Sequence, residues 1–200
     1  MPETADSALL LAVLSDLMAW LQAGAAPGVV IGGLAASLLG RPRLTRDVDV
    51  LLVLDEGRWP EFLATGALYG FVPRRSDSLS FARQTLVLLV RHEPSGIDAD
   101  MIFGSLPFEK EAVARAVWVE LSGVRIPLPR PEDLIIMKAV AHRPQDLADI
   151  AAVLAAHPRL NLGWVRRWVR EFSEALTMPE ILRDLETLLS QRRKRGKRNG

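Results

Sequence analysis

The sequence contains no cysteine and only three histidines, and these shortages limit the chemistry it can support. Without cysteine the chain has no disulfides, no thiolate metal ligands and no cysteine nucleophile. The histidines, His92, His142 and His157, are too scattered for a histidine-based zinc site. We therefore expect any bound metal to have mainly oxygen ligands. The lack of cysteine also fits a reducing compartment, so we expect a cytoplasmic protein.

Long apolar runs are missing as well. No stretch reaches the roughly 18 uninterrupted apolar residues of a membrane-spanning helix, so we expect no membrane partner. The short apolar run at residues 9–14 follows Glu3 and Asp6 rather than basic residues, which argues against a signal peptide. A content of 49% hydrophobic and 24% charged residues over 200 positions nevertheless suits a folded protein with a sizeable core.

Positive charge is concentrated at one end of the chain. The formal net charge is +1, but the last ten residues hold six basic residues and no acid, which leaves −5 for residues 1–190. We expect residues 191–200 to form a basic, disordered tail. An alternative interpretation is that this tail attracts a polyanion such as nucleic acid to a mildly acidic body.

Hydrophobic periodicity divides the chain into a mixed half and a helical half. In the first half it predicts helices at 7–22, 34–39 and 59–68 and strands at 29–31, 47–54, 85–90, 97–103, 117–121 and 124–126. After Pro131 it predicts only helices, at 132–142, 145–157, 162–176 and 179–191. We therefore expect an α/β (α+β) fold, with a mixed sheet and flanking helices in residues 1–130 and a helical region in residues 131–190.

Alternating acidic and apolar residues mark the start of two predicted strands. In Asp47-Val48-Asp49-Val50 both carboxylates would share one strand face, about 6.6 Å apart at a rise of about 3.3 Å per residue. Such a pair is unfavourable unless it faces solvent or a cation. If the strand at 97–103 pairs with it, Asp100 completes an all-oxygen cluster that suits magnesium or manganese, with Asp98 in reserve. A solvated strand edge is the alternative.

A pair of glycines precedes these acids. Ile31-Gly32-Gly33 is followed by thirteen residues and then by Asp47-Val48-Asp49-Val50. Glycines at a strand-to-helix turn let backbone amides approach a phosphate, and the helix N-terminus favours its negative charge. A simple tight turn is the alternative. The motifs and their spacing together resemble the signature of the polymerase-β-like nucleotidyltransferases.

Three further segments are similar to one branch of that superfamily. Residues 43–49, 131–138 and 143–150 read RLTRDVD, PEDLIIMK and RPQDLADI, and they resemble the AbiEii-type branch, which includes toxins of bacterial toxin–antitoxin systems. The resemblance spans roughly residues 28–155. It implies transfer of a nucleoside monophosphate from a nucleoside triphosphate to an acceptor hydroxyl, with Mg²⁺ or Mn²⁺ as cofactor and pyrophosphate as product. The acceptor stays open among a tRNA end, a protein hydroxyl and a small molecule, and the branch adds an antitoxin as a possible partner.

The resemblance assigns roles by matching position. Asp47 and Asp49 would bind metal, the Gly32-Gly33 turn would contact the triphosphate, and Lys138 would contact phosphate. The strand pattern, and not a matched position, supplies Asp100, which would complete the metal site and receive the acceptor proton. Gly33 stands where relatives often have serine, so only backbone donors remain there. The main alternative is a noncatalytic nucleotide-fold protein that binds or regulates a partner.

Charged residues around these motifs leave further choices open. Arg43 and Thr45 match the family pattern and are candidate ligand contacts, although loop arginines are often only solvated. Lys138 could instead be an exposed lysine that buries only its aliphatic stem. Asp146 and Asp149 share a helix face and would form either an ion-pair network that positions Lys138 or a solvated helix surface.

Overall fold

A computed structural model describes residues 2–43, 45 and 47–196. The helices are α1 Pro2–Ala23, α2 Gly32–Leu39, α3 Trp59–Ala67, α4 Ser78–Thr85, α5 Pro107–Ala114, α6 Pro131–Ala141, α7 Pro144–Ala156, α8 Leu162–Ala175 and α9 Pro179–Gly196. The strands are β1 Gly28–Val30, β2 Asp47–Leu52, β3 Phe71–Pro73, β4 Val87–His92, β5 Ile97–Phe103, β6 Val117–Leu121 and β7 Val124–Leu128. No helix in these residues is both long enough and apolar enough to cross a membrane.

The main sheet has five strands in the order β1-β2-β5-β4-β3. Strands β2 and β5 are parallel neighbours, and the other pairs are antiparallel. Val48 and Val50 of β2 are fully buried, while Asp47 is exposed and Asp49 partly so. One face of the sheet thus packs into the core and the other carries the acids, because side chains alternate along a strand. The mixed sheet with flanking helices confirms the predicted fold class.

The sheet is anchored to the helices by an aromatic cluster. Trp20 of α1 stacks on Phe62 of α3 and on Phe71 of β3, with ring centroids 4.4 and 4.9 Å apart. Its indole N–H also donates to the Phe62 carbonyl at 2.8 Å. Such pairs add to the stability that area burial provides. The cluster therefore fixes the short strand β3, which leads directly to Arg74.

A second sheet is the hairpin of β6 and β7. Its turn is Ser122-Gly123, and both residues have positive φ, 48° and 89°. This backbone conformation is typical of the two-residue turns that join the strands of a β-hairpin. Both strands are predicted from the sequence, and β7 extends two residues further than expected.

Three of these α-helices and strands are absent from the sequence prediction. These are β3, α4 and α5. Strand β3 has three residues and is closed by Pro73, so it is too short to show a period of two. Helix α4 contains mostly polar residues, and α5 combines three charged or polar positions with a start at Pro107. In short elements of this kind, tertiary packing decides the conformation more than the local pattern does.

The chain forms two compact units, Met1–Leu34 with Thr45–Pro129, and Ala35–Leu44 with Arg130–Gly200. Residues 35–44, which the sequence groups with the first half, belong to the second unit because α7 holds them. His157 donates from Nε2 to the Leu39 carbonyl at 2.7 Å. Gly40 lies against Val153, whose side chain would be 3.2 Å from an added Cβ.

Helix α9 runs past residue 190, where the composition places the start of a tail. Arg192 donates from Nη2 to the carbonyls of His157 and Pro158, both at 2.8 Å. These bonds give the basic segment a structural partner through residue 192. Residues 197–200 lie outside the described part of the chain.

Candidate active site

Strand register brings the acids of β2 and β5 together on one face of the sheet. Asp47 pairs with Asp98 and Asp49 pairs with Asp100. Paired residues on neighbouring strands point to the same face. Ala99, which lies between the two β5 acids, is fully buried on the opposite face. The parallel pairing that the sequence left conditional is therefore present, and four carboxylates share the surface.

Asp98 is bound by two arginines. Arg91 is its partner across β4 and donates from Nε at 2.7 Å. Arg74 donates from Nη1 at 2.9 Å. The hydrogen bond from Arg91 is the main cause that lowers the pKa of Asp98 below its usual value, with Arg74 adding to it against burial. Asp98 is thus held as a carboxylate by cations of the protein itself.

Asp100 has a different electrostatic environment, although Arg74 also binds it. Burial raises the pKa of Asp100, and repulsion from Asp47 and Asp98 raises it further, while the Arg74 charge acts in the opposite direction. Repulsion between Asp47 and Asp100 means that these carboxylates are close enough to interact. An added positive charge would stabilise both of them. This difference favours Asp100 over Asp98 as the third acid, a role that stays a prediction.

Gly32 connects the surface that carries Asp47, Asp49, Asp98 and Asp100, here called the acid face, to the start of α2. Ile31 donates its amide to the Asp49 carbonyl at 2.8 Å, which extends the β1–β2 ladder by one bond. Gly32 then takes φ +62°, and a Cβ there would lie 1.8 Å from Asp49 Oδ2. Only glycine suits both the conformation and the space. The turn therefore sets the first residues of α2, Gly32 and Gly33, close to Asp49, with helix-start amides that have no intrahelical acceptor.

The chemistry of the donor set fits a hard divalent cation. Asp47, Asp49 and Asp100 offer carboxylate oxygens, the ligands that magnesium and manganese prefer. Burial is the main cause of the raised pKa of Asp100, and repulsion from Asp47 and Asp98, which a cation would relieve, adds to it. Within the described ranges, however, no three acidic or histidine side chains are arranged so that they could hold a metal ion. The residues fit the ion by type, while Arg74 occupies part of their coordinating surface.

Thr45 lies two residues before the acid strand. Its Oγ1 is buried and finds no hydrogen-bond partner in the part of the chain that the structure describes. A buried hydroxyl without a hydrogen-bond partner destabilises the fold, and a ligand that formed a hydrogen bond with it would offset this effect. Arg46, between Thr45 and Asp47, lies outside the described residues. The ligand role of Thr45 stays a prediction with this observation in its favour.

Lys138 lies in the second unit within a buried ion-pair network. Its side chain is 6% exposed, and its Nζ lies 2.7 Å from Asp146 Oδ1 and 2.9 Å from Asp149 Oδ2. Arg43 donates to Asp149 from Nε and Nη2 at 3.3 and 3.2 Å. Arg143 donates to Asp146 from Nε at 2.6 Å. Of the two arrangements that the sequence left open, the structure shows the network and not a solvated surface.

The carboxyls of this network have lowered pKa values. Burial alone would raise the pKa of Asp146, but hydrogen bonds from Arg143 and Lys138 outweigh it. The same competition holds for Asp149, where Lys138 and Arg43 are the main donors. Arg43 is therefore bound through a carboxylate and is not merely a solvated loop residue. Whether Lys138 and Arg43 contact phosphate stays a prediction.

Arg74 and Arg91 are the two residues of the acid face that sequence reasoning missed. Arg91 continues the alternation of the predicted strand at 85–90 and could have been found by extending it. Arg74 follows Phe71-Val72-Pro73, a run too short to indicate a strand. Its placement depends on the pairing of β3 with β4, which no local pattern shows.

Comparisons with known proteins agree with this fold. A family model described as nucleotidyl transferase of unknown function (DUF2204) matches residues 11–187. The solution structure of the antibiotic-resistance factor ANT(2'')-Ia aligns with a TM-score of 0.56 and 16% identity, over 90% of this chain and 97% of that chain. Its crystal structure with adenylyl-2''-tobramycin gives the same TM-score and identity over 85% and 99%.

Another solved structure aligns with a lower TM-score. An antigenic nucleotidyltransferase-like protein from Paracoccidioides brasiliensis aligns with a TM-score of 0.49 and 14% identity, over 87% of this chain and 92% of that chain. A search of curated proteins finds no match. At such identities the structural likeness to ANT(2'')-Ia is one of fold alone.

Proposed function

This chain belongs to the nucleotidyl transferase family DUF2204, and we propose that it moves a nucleoside monophosphate from a nucleoside triphosphate to an acceptor hydroxyl, with release of pyrophosphate. The observation that carries the proposal is the row formed by Asp49 and Asp100, with Gly32 packed against Asp49. It sets a carboxylate pair next to a helix start. Such a surface suits the negative charge of a nucleotide once a cation is present.

We propose a role for each candidate site residue of the first unit. Asp47, Asp49 and Asp100 would hold Mg²⁺ or Mn²⁺, which when bound would supply positive charge to the triphosphate and the acceptor oxygen. Amides at the start of α2 would donate to phosphate oxygens. Asp100 would take the acceptor proton, because its carboxylate lies on the same face of the sheet as those of Asp47 and Asp49. The Thr45 hydroxyl would bond a ligand oxygen.

In the second unit we propose that Lys138 and Arg43 neutralise phosphate charge, as the resemblance implies. Asp149 binds both cations and would position them relative to each other. Arg43 has the more accessible side chain, 34% exposed against 6% for Lys138. Arg43 is thus the better placed of the two to meet a ligand at the surface of this unit.

The acceptor is proposed from similarity. ANT(2'')-Ia was crystallised with adenylyl-2''-tobramycin, so a small polyhydroxylated molecule is one candidate class. The AbiEii-type resemblance adds a tRNA end and a protein hydroxyl, together with a toxin role and an antitoxin partner. The lack of cysteine is the basis for proposing a cytoplasmic location. All three acceptor classes supply the hydroxyl oxygen that attack on the α-phosphate requires.

A second candidate function is a noncatalytic nucleotide-fold protein in a toxin–antitoxin-like system. Three observations favour it. Arg74 binds two of the four acids. No three acidic or histidine side chains in the described residues are arranged to hold a metal ion. Glycine at position 33 removes a side-chain hydroxyl from the turn. Under this alternative the protein would bind nucleotide without turnover.

The test is transfer of label from each of the four nucleoside triphosphates, labelled at the α-phosphate, with Mg²⁺ or Mn²⁺. Total tRNA, a protein extract and a panel of aminoglycosides serve as acceptors, and pyrophosphate release is followed in parallel. Asp49→Asn should abolish labelling, whereas the matched control Asp77→Asn, at an exposed carboxylate outside the acid face, should not. Nucleotide binding by the wild type without label in any fraction would select the noncatalytic alternative.

A further inference from the structure

Arg74 reaches the acid face because of the register of the sheet. It follows β3, and its amide donates to the Leu89 carbonyl at 3.0 Å, one step beyond the pairing of Pro73 with Val90. Leu89 in turn pairs with Asp100. Arg74, Leu89 and Asp100 therefore lie in one row across the sheet, with their side chains on the same face. The guanidinium extends past Leu89 to the acid.

The contacts of Arg74 link both acids of β5. Nη1 lies 2.9 Å from Asp98 Oδ2, and Nη2 binds Asp100 Oδ1. Asp98 has a second cation in Arg91, whereas Arg74 is the cation that pairs with Asp100 among the residues that the structure describes. The Arg74 side chain is 25% exposed, so part of it contacts solvent.

Arg74 binds a carboxylate oxygen of Asp100 that a divalent ion would also need. Four aspartates, at positions 47, 49, 98 and 100, and two arginines, at positions 74 and 91, lie on this face of the sheet. The guanidinium and an ion would compete for Asp100, because both need its carboxylate oxygens. Coulomb attraction favours the doubly charged ion at the same distance.

We propose that Arg74 is an internal counter-cation that holds Asp100 until a divalent ion binds, and that the ion displaces the guanidinium from Asp100. This inference rests on the proposed function, because it concerns the metal that the transferase would use. Arg91 keeps Asp98 in place throughout, so Arg74 retains one partner when it is released. Arg74 thereby stabilises the metal-free acid face and weakens metal affinity by the same interaction.

The test compares Arg74→Gln with the matched control Arg75→Gln. Arg75 is the neighbouring residue, is 44% exposed and binds Asp77, away from the four acids. Titration calorimetry without nucleotide measures Mn²⁺ affinity, and thermal unfolding with and without Mn²⁺ measures the stabilisation by the ion. We expect Arg74→Gln to bind Mn²⁺ a few-fold more tightly, up to about fivefold, which corresponds to one partly exposed ion pair. Arg75→Gln should match the wild type.

The same protein should also show a larger rise in melting temperature on addition of Mn²⁺, from a lower starting value. In the wild type, the side-chain Nε–Hε resonance of Arg74 should shift as Mg²⁺ is added, while that of Arg75 stays in place. If Arg74→Gln does not fold, Arg74→Lys carries the same test, since it keeps the charge but loses the two-pronged geometry. Its Mn²⁺ affinity should also exceed that of the wild type.

Equal or weaker Mn²⁺ binding by the Arg74 variants overturns the inference, as does an unchanged Arg74 resonance. Absence of Mn²⁺ binding in every variant also overturns it. Binding by Arg74→Gln alone supports it in its strongest form. The proposed function is judged separately by label transfer, so an active enzyme with unaltered Mn²⁺ affinity in Arg74→Gln would reject this inference alone.

Discussion

Gly32 and Asp49 are packed so closely that a Cβ at position 32 would lie 1.8 Å from the carboxylate Oδ2. The glycine also has a positive φ of 62°, which disfavours any other residue. The strand-to-helix turn and the acid strand are therefore one structural unit. A change in the turn displaces an acid, and this coupling gives the first prediction.

Gly32→Ala should destabilise the protein by about 1–3 kcal/mol, from backbone strain and displacement of Asp49. Nucleotide binding should fall at the same time, because the first amides of α2 move with the turn. Urea unfolding and nucleotide titration measure the two effects. Gly57→Ala is the control, since nothing lies within 4 Å of its added Cβ, and it should stay within about 0.5 kcal/mol of wild type. Wild-type behaviour of Gly32→Ala would contradict the packing described.

Asp98 and Asp100 should separate in a pair of asparagine substitutions. Asp100→Asn should abolish transfer yet change stability by less than about 0.5 kcal/mol, because the raised pKa means that the native state disfavours this charge. Asp98→Asn should reduce stability more, since it removes the acceptor of Arg74 and Arg91. Label transfer and urea unfolding of both variants provide the measurement. Loss of transfer only in Asp98→Asn would make Asp98 the third acid.

The arrangement of β2 and β5 could be predicted from the sequence only in part. Alternation of acids and valines correctly places Asp47 and Asp49 on one face of β2, and the alternating start and apolar end of residues 97–103 give the bounds of β5. Their parallel pairing is a long-range property, so the sequence can only make it conditional. Arg74 is invisible for the same reason, since its position depends on the pairing of a three-residue strand. Local patterns predict faces, and tertiary pairing decides which faces meet.

The ion-pair network of the second unit could also be predicted only in part. Helix positions alone put Asp146 and Asp149 on one face, but they do not tell a solvated face from a buried one. Burial follows from the packing of α6 against α7, which encloses Lys138 between the two acids. Arg43, far away in sequence, joins them through Asp149. Such a network becomes visible only when the chain is folded.

Acid should weaken the second unit through this network. The folded-state pKa values of Asp146 and Asp149 lie below those of an unfolded chain, where aspartate titrates near about 3.9. The network stabilisation is therefore complete above about pH 3.9 and is lost as the pH falls through the lowered folded-state values. Asp149→Asn should flatten the pH dependence of the unfolding free energy below about pH 4. The exposed control Asp55→Asn should keep the wild-type slope.

Lys138 offers the sharpest separation of structure from ligand binding. Lys138→Met should destabilise by about 3–5 kcal/mol, because it leaves two buried carboxylates without their shared ammonium. Adding Asp149→Asn to it should restore part of that loss, since one unpaired charge disappears and the two sites are in direct contact. Urea unfolding of the single and double variants gives the coupling energy.

Nucleotide affinity in the stabilised double variant then decides the role of the lysine. If Lys138 contacts phosphate, affinity stays low after stability returns, because the ammonium is still missing. If the lysine only supports the fold, affinity recovers together with stability. The single variant Asp149→Asn is the reference, since it shares the loss of the carboxylate that also binds Arg43. Equal nucleotide affinity in Asp149→Asn and the double variant would assign Lys138 a purely structural role and leave the phosphate contact of this unit to Arg43.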